Sequence, residues 1–220
     1  MATVTRDLAT RDSVTSDPTP AGLPAAPDRL HRITSDIYHE MGRHGLIRRA
    51  DRVILLDGFL VKKMTQGPKH ILAVQNAVDV LDGLALEGIY ARKEDPVALY
   101  NGPGGTDSEP EPDVVLVRGT KHAYADRLPC PNDILLAIEV ADRSLRADRE
   151  GLGRYAWFGI PCAWIVNLVN GTIEVYDRPM GARTQDARYG RSEVKGVGDE
   201  VGIEVDGRVL GRVAVSDIIP

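Results

Sequence analysis

The sequence predicts one domain of the α/β (α+β) class, with a central mixed β-sheet flanked by α-helices. Three apolar runs, 114–117, 134–138 and 162–166, have the length and composition of buried strands. Two segments with helical periodicity, 68–82 and 145–158, alternate with these runs, which is typical of a sheet covered by helices. A chain of 220 residues with 43% hydrophobic residues is long enough to bury one core.

The first 28 residues differ in composition from the rest of the chain. They are rich in Thr, Ser, Asp, Pro and Ala and show no periodicity, so they cannot bury enough apolar surface to offset the entropy of ordering. We therefore expect a disordered tail over residues 1–28 and a folded domain over residues 29–220.

The elements of the first half follow from local signals. Thr34 precedes a short helical segment that Gly42 ends. The Asp57-Gly58 pair lies between two apolar runs and predicts a hairpin over residues 52–61. Pro68 opens a helix with an apolar face spaced at three and four residues, formed by Ile71, Val74, Val78 and Leu81.

The second half begins with a loop, 101–112, whose prolines prevent ladder hydrogen bonding and deliver an extended chain into the next strand. Strands are predicted over 113–118 and 134–140, followed by the second helix and a third strand. The Asn170-Gly171 turn leads into an alternating strand over 172–176. Short strand-like pieces follow from Val194 to the end.

The charge of the chain is unevenly distributed. The formal net charge is -5, but the segment 43–69 carries seven basic and two acidic residues and is therefore +5. This segment predicts a local phosphate-facing surface, although a solvated charged face is the alternative. The candidate nucleic-acid contacts are Arg48, Arg49, Lys62, Lys63 and His70, the last of which has a local helix-capping role as its alternative.

The two cysteines, Cys130 and Cys162, have no metal-ligand spacing and are expected to be reduced thiols. The first residues lack the apolar core of a signal peptide, and no apolar run approaches the ~20 residues that cross a bilayer. These features predict a cytoplasmic protein without a membrane role.

Two carboxylates at strand ends are the most informative feature of the sequence. Asp113 opens the apolar run 114–117, and Glu139 lies at the polar end of the run 134–140. If the two strands pair antiparallel, Asp113 lies beside Glu139, and a divalent cation would relieve their repulsion. With the backbone carbonyl of Val140 they form a set of oxygen ligands that suits Mg²⁺, or Mn²⁺. This set predicts metal-dependent hydrolysis of phosphodiester bonds, with surface strand caps as the alternative.

Five segments, in order, resemble the Uma-two family of restriction-endonuclease-like proteins in the PD-(D/E)XK nuclease superfamily. The similarity covers about residues 34–215. The segments are Asp51-Arg52-Val53 with Asp57-Gly58 and His70, Glu111–Val117, Leu135–Leu145, Tyr155–Pro161 and Trp164–Asn167.

This resemblance implies a restriction-endonuclease-like fold and a Mg²⁺-dependent endonuclease that acts on DNA, with the metal at Asp113 and Glu139. From the same resemblance we expect a homodimer. The family glutamate of the first hairpin is replaced by Ile54, while Asp57 keeps an acid at the turn.

The helix after Glu139 departs from the family pattern. The family carries a lysine there, and its position falls on Leu152, or on Gly151 when counted back from Tyr155. Arg154 is predicted to cover part of the missing lysine's catalytic role, with Arg149 as a second candidate that the pattern favours as structural. The altered helix keeps a second hypothesis open, a catalytically inactive nuclease-fold protein that binds nucleic acid or a protein partner.

Overall fold

The structure is a computed structural model, and it describes residues 30–102, 106–142, 145–205 and 207–220. The predicted disordered tail, 1–28, lies outside the described residues. Four α-helices are present in the described part of the chain, α1 Ser35–Arg43, α2 Pro68–Gly83, α3 Leu145–Trp157 and α4 Val215–Ile218. The strands are β1 Val53–Leu56, β2 Phe59–Lys62, β3 Ile89–Lys93, β4 Leu99–Tyr100, β5 Asp107–Ser108, β6 Val114–Arg118, β7 Ile134–Ala141, β8 Cys162–Asn167, β9 Thr172–Met180, β10 Arg188–Gly196, β11 Glu200–Val205 and β12 Arg208–Ala214.

Six of these strands form the central sheet in the order β10-β9-β8-β7-β6-β3. The β7–β8 pair is parallel because α3 carries the chain back between the two strands, and the other neighbours are antiparallel. The prediction of a mixed sheet is therefore confirmed, and so is the antiparallel pairing of β6 with β7.

Two cores cover the two faces of the sheet. Side chains of β6 alternate between them, so that Val114 and Leu116 pack with α2, α4, β11 and β12, while Val115 and Val117 pack with α3. Glu139 follows Ile138, which belongs to the first core, and alternation turns Glu139 toward α3.

The C-terminal part of the chain corrects one expectation. Residues 215–218, within the apolar run predicted to be strand-like, form α4, whose Val215 and Ile218 are buried in the core that includes α2. Burial of two apolar side chains three residues apart favours a helical turn over a strand. Among the described residues, no helix is long and apolar enough to cross a membrane.

Candidate metal centre and adjoining cleft

Asp113 and Glu139 meet because β6 begins where β7 ends. Val114 lies opposite Ile138, and this register places the preceding Asp113 opposite Glu139. The backbone N–H of Val140 donates a 2.7 Å hydrogen bond to Oδ2 of Asp113. The carboxylate therefore takes the place of a ladder carbonyl beyond the end of β6, and the structure brings all three predicted metal-site residues together.

The carboxylate of Glu139 is hard to ionise in this position. Burial, and then the negative charge of Asp113, raise the pKa of Glu139 to about 8. The hydroxyl of Tyr155, on α3, donates a hydrogen bond to Oε1 of Glu139 and opposes this shift. Near neutral pH, Glu139 therefore retains its proton unless a cation compensates the charge.

His70, in the first turn of α2, belongs to the same site. Its Nε2 lies 3.1 Å from Oδ2 of Asp113, and the residue is only 8% exposed. Burial alone would lower the pKa of His70, but the hydrogen bond and charge of Asp113 outweigh it and raise the pKa. His70 is therefore buried beside Asp113, and its contact with nucleic acid stays a prediction.

The donor set fits a hard divalent cation. The hydrogen bonds from His70 and Val140 go to Oδ2 of Asp113, which leaves Oδ1 as the natural donor to a cation. The N–H and C=O of a strand residue leave the strand on the same side, so the carbonyl of Val140 also points toward Asp113. Within the described ranges, no three His, Cys, Asp or Glu side chains are grouped to hold a metal. Two carboxylates and one carbonyl suit Mg²⁺, which keeps several waters, and not a four-ligand zinc site.

Arg154 is not at this centre. Its Nη2 donates a 3.1 Å hydrogen bond to Oδ2 of Asp57, and the two residues are 7% and 1% exposed. Successive helical residues are rotated by about 100°, so Tyr155 can face Glu139 only if Arg154 points elsewhere. Arg154 thus forms a buried ion pair that attaches α3 to the β1–β2 turn, and its catalytic role stays a prediction.

Arg149 is also engaged elsewhere. It binds Glu174 of β9 through two parallel hydrogen bonds of 2.9 and 2.6 Å. Charge-assisted pairs of this geometry fix orientation strongly. Arg149 thus joins α3 to β9, in agreement with the structural role that the family pattern favours.

The two candidate lysine positions have different surroundings. Leu152 is 5% exposed and packs in the core beneath α3. A Cβ at Gly151 would meet no atom within 4 Å, and Gly151 lies one helical turn before Tyr155, on the same helical face. Position 151 therefore has the space and direction that a side chain beside Glu139 requires, whereas position 152 belongs to the core.

A cleft of about 900 Å³ adjoins the metal centre. Gln66 and Glu94 line it, and the backbone N–H of Glu94 donates a 3.2 Å hydrogen bond to the carbonyl of Asp113. The basic residues of its lining are Arg43, Arg48, Arg49, Arg52, Lys63 and Lys93, and the acidic residues are Glu94, Asp95, Glu109 and Glu111.

Three of the predicted nucleic-acid contacts, Arg48, Arg49 and Lys63, line this cleft, while Lys62 is exposed outside its lining. The sequence reasoning missed two partners. Helical periodicity could have placed Tyr155 on the face of α3 that meets Glu139, but no local signal connects Lys63 with Glu111, 48 residues away.

Comparison with known proteins extends these observations. The model of a family named Uma2, described as "Putative restriction endonuclease", matches residues 36–205. A crystal structure from Anabaena variabilis, described as "a putative nuclease belonging to DUF820", is similar with a TM-score of 0.59 and 15% sequence identity. The match covers 84% of this chain and 97% of that chain, and at this identity it shows a shared fold. No curated protein matches the chain. The family resemblance and the nuclease-like α/β fold predicted from the sequence are thus confirmed.

Proposed function

Because the chain belongs to the Uma2 family, we propose that it is a Mg²⁺-dependent endonuclease that hydrolyses phosphodiester bonds of DNA. The observation that carries the proposal is the pairing of Asp113 with Glu139 at the meeting of β6 and β7. Two carboxylates held this close, one with a raised pKa, require a compensating cation when both are ionised.

Each residue of the centre has a distinct part. Asp113, Glu139 and the carbonyl of Val140 would hold the ion, and Mn²⁺ is an alternative of similar ligand preference. When bound, the ion supplies Lewis acidity and charge neutralisation at the phosphate. His70 orients Asp113, and Tyr155 orients Glu139, through the hydrogen bonds described above.

The cleft supplies the path for the DNA. Arg48 and Arg49 lie on its wall after α1, and Lys63 lies on the side of Glu111. Contacts from these residues to phosphates would position the strand without reading its sequence. The cleft would thereby lead the DNA backbone to Asp113.

The test is nicking of supercoiled plasmid DNA with Mg²⁺ or Mn²⁺. Wild-type protein is expected to nick the plasmid, and Glu139→Gln is expected to abolish nicking while the fold is retained. Glu200→Gln, which removes an exposed carboxylate at the start of β11, is the matched control. Undiminished nicking by Glu139→Gln would refute the proposal.

A second candidate function is binding of nucleic acid or a protein partner without catalysis. It is favoured by α3, where all three arginines of the helix are engaged in ion pairs, with Glu150, Glu174 and Asp57. A binder of this kind would retard DNA in a gel equally well with and without Glu139. It would also leave plasmid DNA intact with either metal.

A further inference from the structure

The proposed hydrolysis would be accelerated by a positively charged side chain, besides the metal ion, that faces the phosphate. Charge develops on the phosphate oxygens in the transition state, and fixed positive groups aimed at that charge are a large source of rate enhancement. The arginines of α3 point to Glu150, Glu174 and Asp57. A second positive group, besides the metal ion, would therefore come from another segment of the chain.

Lys63, which directly follows β2, occupies a suitable position. Its Nζ lies 2.6 Å from Oε2 of Glu111, and both side chains are half-buried. Glu111 lies two residues before Asp113, and the intervening Pro112 restricts Glu111 to extended backbone. Side chains two residues apart in extended chain leave on the same side, roughly 7 Å apart. Glu111 thus holds the ammonium of Lys63 on the same side of the chain as the carboxylate of Asp113.

The segment that begins at Lys63 borders the metal centre on the side of Asp113. Gln66 donates a hydrogen bond to Glu94, whose backbone binds the carbonyl of Asp113. A Cβ at Gly67 would lie 3.2 Å from Oδ2 of Asp142, just beyond the end of β7. His70 then meets Asp113. Lys63 itself lines the cleft, so it lies on the side of the centre where a DNA strand would enter.

We propose that Lys63 is a catalytic residue of this site, and the inference rests on the proposed function. Its ammonium exchanges Glu111 for a non-bridging oxygen of the scissile phosphate and offsets the negative charge that develops there. Water forms the new P–O bond while the bond to the leaving strand breaks. One proton of the water ends on the leaving oxygen, and Lys63 stays protonated throughout.

Variants in which an uncharged residue replaces Lys63 test this assignment. The measured quantity is turnover, the rate of plasmid nicking per enzyme molecule. Lys63→Met is expected to lower turnover by roughly 10²-fold, as removal of one group that stabilises the transition state does. Affinity for Mg²⁺, measured by calorimetry, is expected to stay at the wild-type value. Lys63→Arg retains the charge and is expected to retain most of the turnover.

Two further variants control for misfolding and for the simple removal of one positive charge. Lys63→Gln keeps a hydrogen-bond donor for Glu111 and serves if Lys63→Met fails to fold, as judged by circular dichroism. Lys121→Met removes the same charge from an exposed position outside the cleft and is expected to cost far less. Wild-type turnover in the folded neutral Lys63 variants, or equal losses at positions 63 and 121, would overturn the assignment alone. Wild-type protein that folds but cuts nothing would overturn the proposed function and this assignment with it.

Discussion

Glu139 is the residue whose charge state governs the candidate metal centre. Its pKa in the folded protein is about 8, against an ordinary value of 4.5 that applies when the chain is unfolded. Between these values the folded state holds a proton that the unfolded state releases, so raising the pH favours unfolding. The loss of stability begins near pH 4.5 and is complete above about pH 8.

This linkage gives a pH prediction for the metal-free protein. In EDTA, the free energy of unfolding of the wild type is expected to fall relative to that of Glu139→Gln as the pH rises from 5 to 8. Urea denaturation at a series of pH values measures the difference. Parallel stability curves for the two proteins would contradict the raised pKa.

The lysine position of α3 gives a second prediction at the scale of single residues. Gly151→Lys is expected to fold, to strengthen the helix by about 1 kcal/mol and to raise the nicking rate tenfold or more. The structural reason is the open space at Gly151 beside Tyr155. Rates from the plasmid assay and unfolding midpoints measure both effects.

Leu152→Lys is the matched comparison. It would place a charge in the core beneath α3 and is expected to destabilise the fold by about 2–5 kcal/mol, without a gain in rate. If Leu152→Lys raised the nicking rate and Gly151→Lys did not, position 152 and not position 151 would face Glu139.

At the scale of elements, α3 is fastened by ion pairs rather than by apolar contacts alone. Arg154 reaches the β1–β2 turn at Asp57, and Arg149 reaches β9 at Glu174. Asp57 is further bound by Ser108, since their side chains lie 3.1 Å apart. The hairpin and the helix that carries Tyr155 are therefore held in one arrangement around the centre.

The Arg154 pair can be tested by stability. Arg154→Met leaves the carboxylate of Asp57 buried without its partner, which is expected to cost about 3–5 kcal/mol. Arg146→Met, which removes an exposed pair with Glu150 on the same helix, is expected to cost less than about 0.5 kcal/mol. Urea denaturation measures both, and equal effects would contradict a structural role for Arg154.

Which elements the sequence predicts depends on how local their signal is. β6, β7 and β8 are buried apolar runs, and α2 and α3 have helical periodicity, so each is visible in a short window. β10 is an edge strand composed largely of charged and small residues, and its conformation depends on pairing with β9. Its first residues therefore carried no strand signal. The β-branched residues of α4 favour a strand when taken alone, and packing against α2 overrides that preference.

The residues of the site also differ in how local their sequence signal is. Asp113 and Glu139 stand at the ends of apolar runs, so antiparallel pairing was enough to place them together. The partner of Arg154 depends on helical phase, and Asp57 lies 97 residues away in the chain. Contacts of such long range leave no trace in local sequence.

At the scale of the whole molecule, an acidic chain concentrates basic residues in one cleft. The net charge is -5, yet Arg48 and Arg49 line the cleft beside the metal centre. If the cleft binds DNA as proposed, it releases counterions from the phosphates, and the affinity is expected to fall as salt concentration rises.

The cleft prediction concerns the double variant Arg48→Gln/Arg49→Gln. Its affinity for a fluorescent DNA duplex is expected to fall, and the plot of log affinity against log salt concentration is expected to become shallower by about two. Fluorescence anisotropy with Ca²⁺ in place of Mg²⁺ measures this. Arg208→Gln/Arg212→Gln removes two exposed charges from β12 as the control, and an equal effect there would exclude a specific role for the cleft.

The proposed hydrolysis depends on a divalent cation held between two strand ends. Calorimetric titration of Mg²⁺ into wild type, Asp113→Asn and Glu200→Gln tests it most directly. We expect one ion to bind per chain in the wild type and in Glu200→Gln, and binding to be lost in Asp113→Asn. Wild-type affinity in a folded Asp113→Asn variant would contradict the central claim.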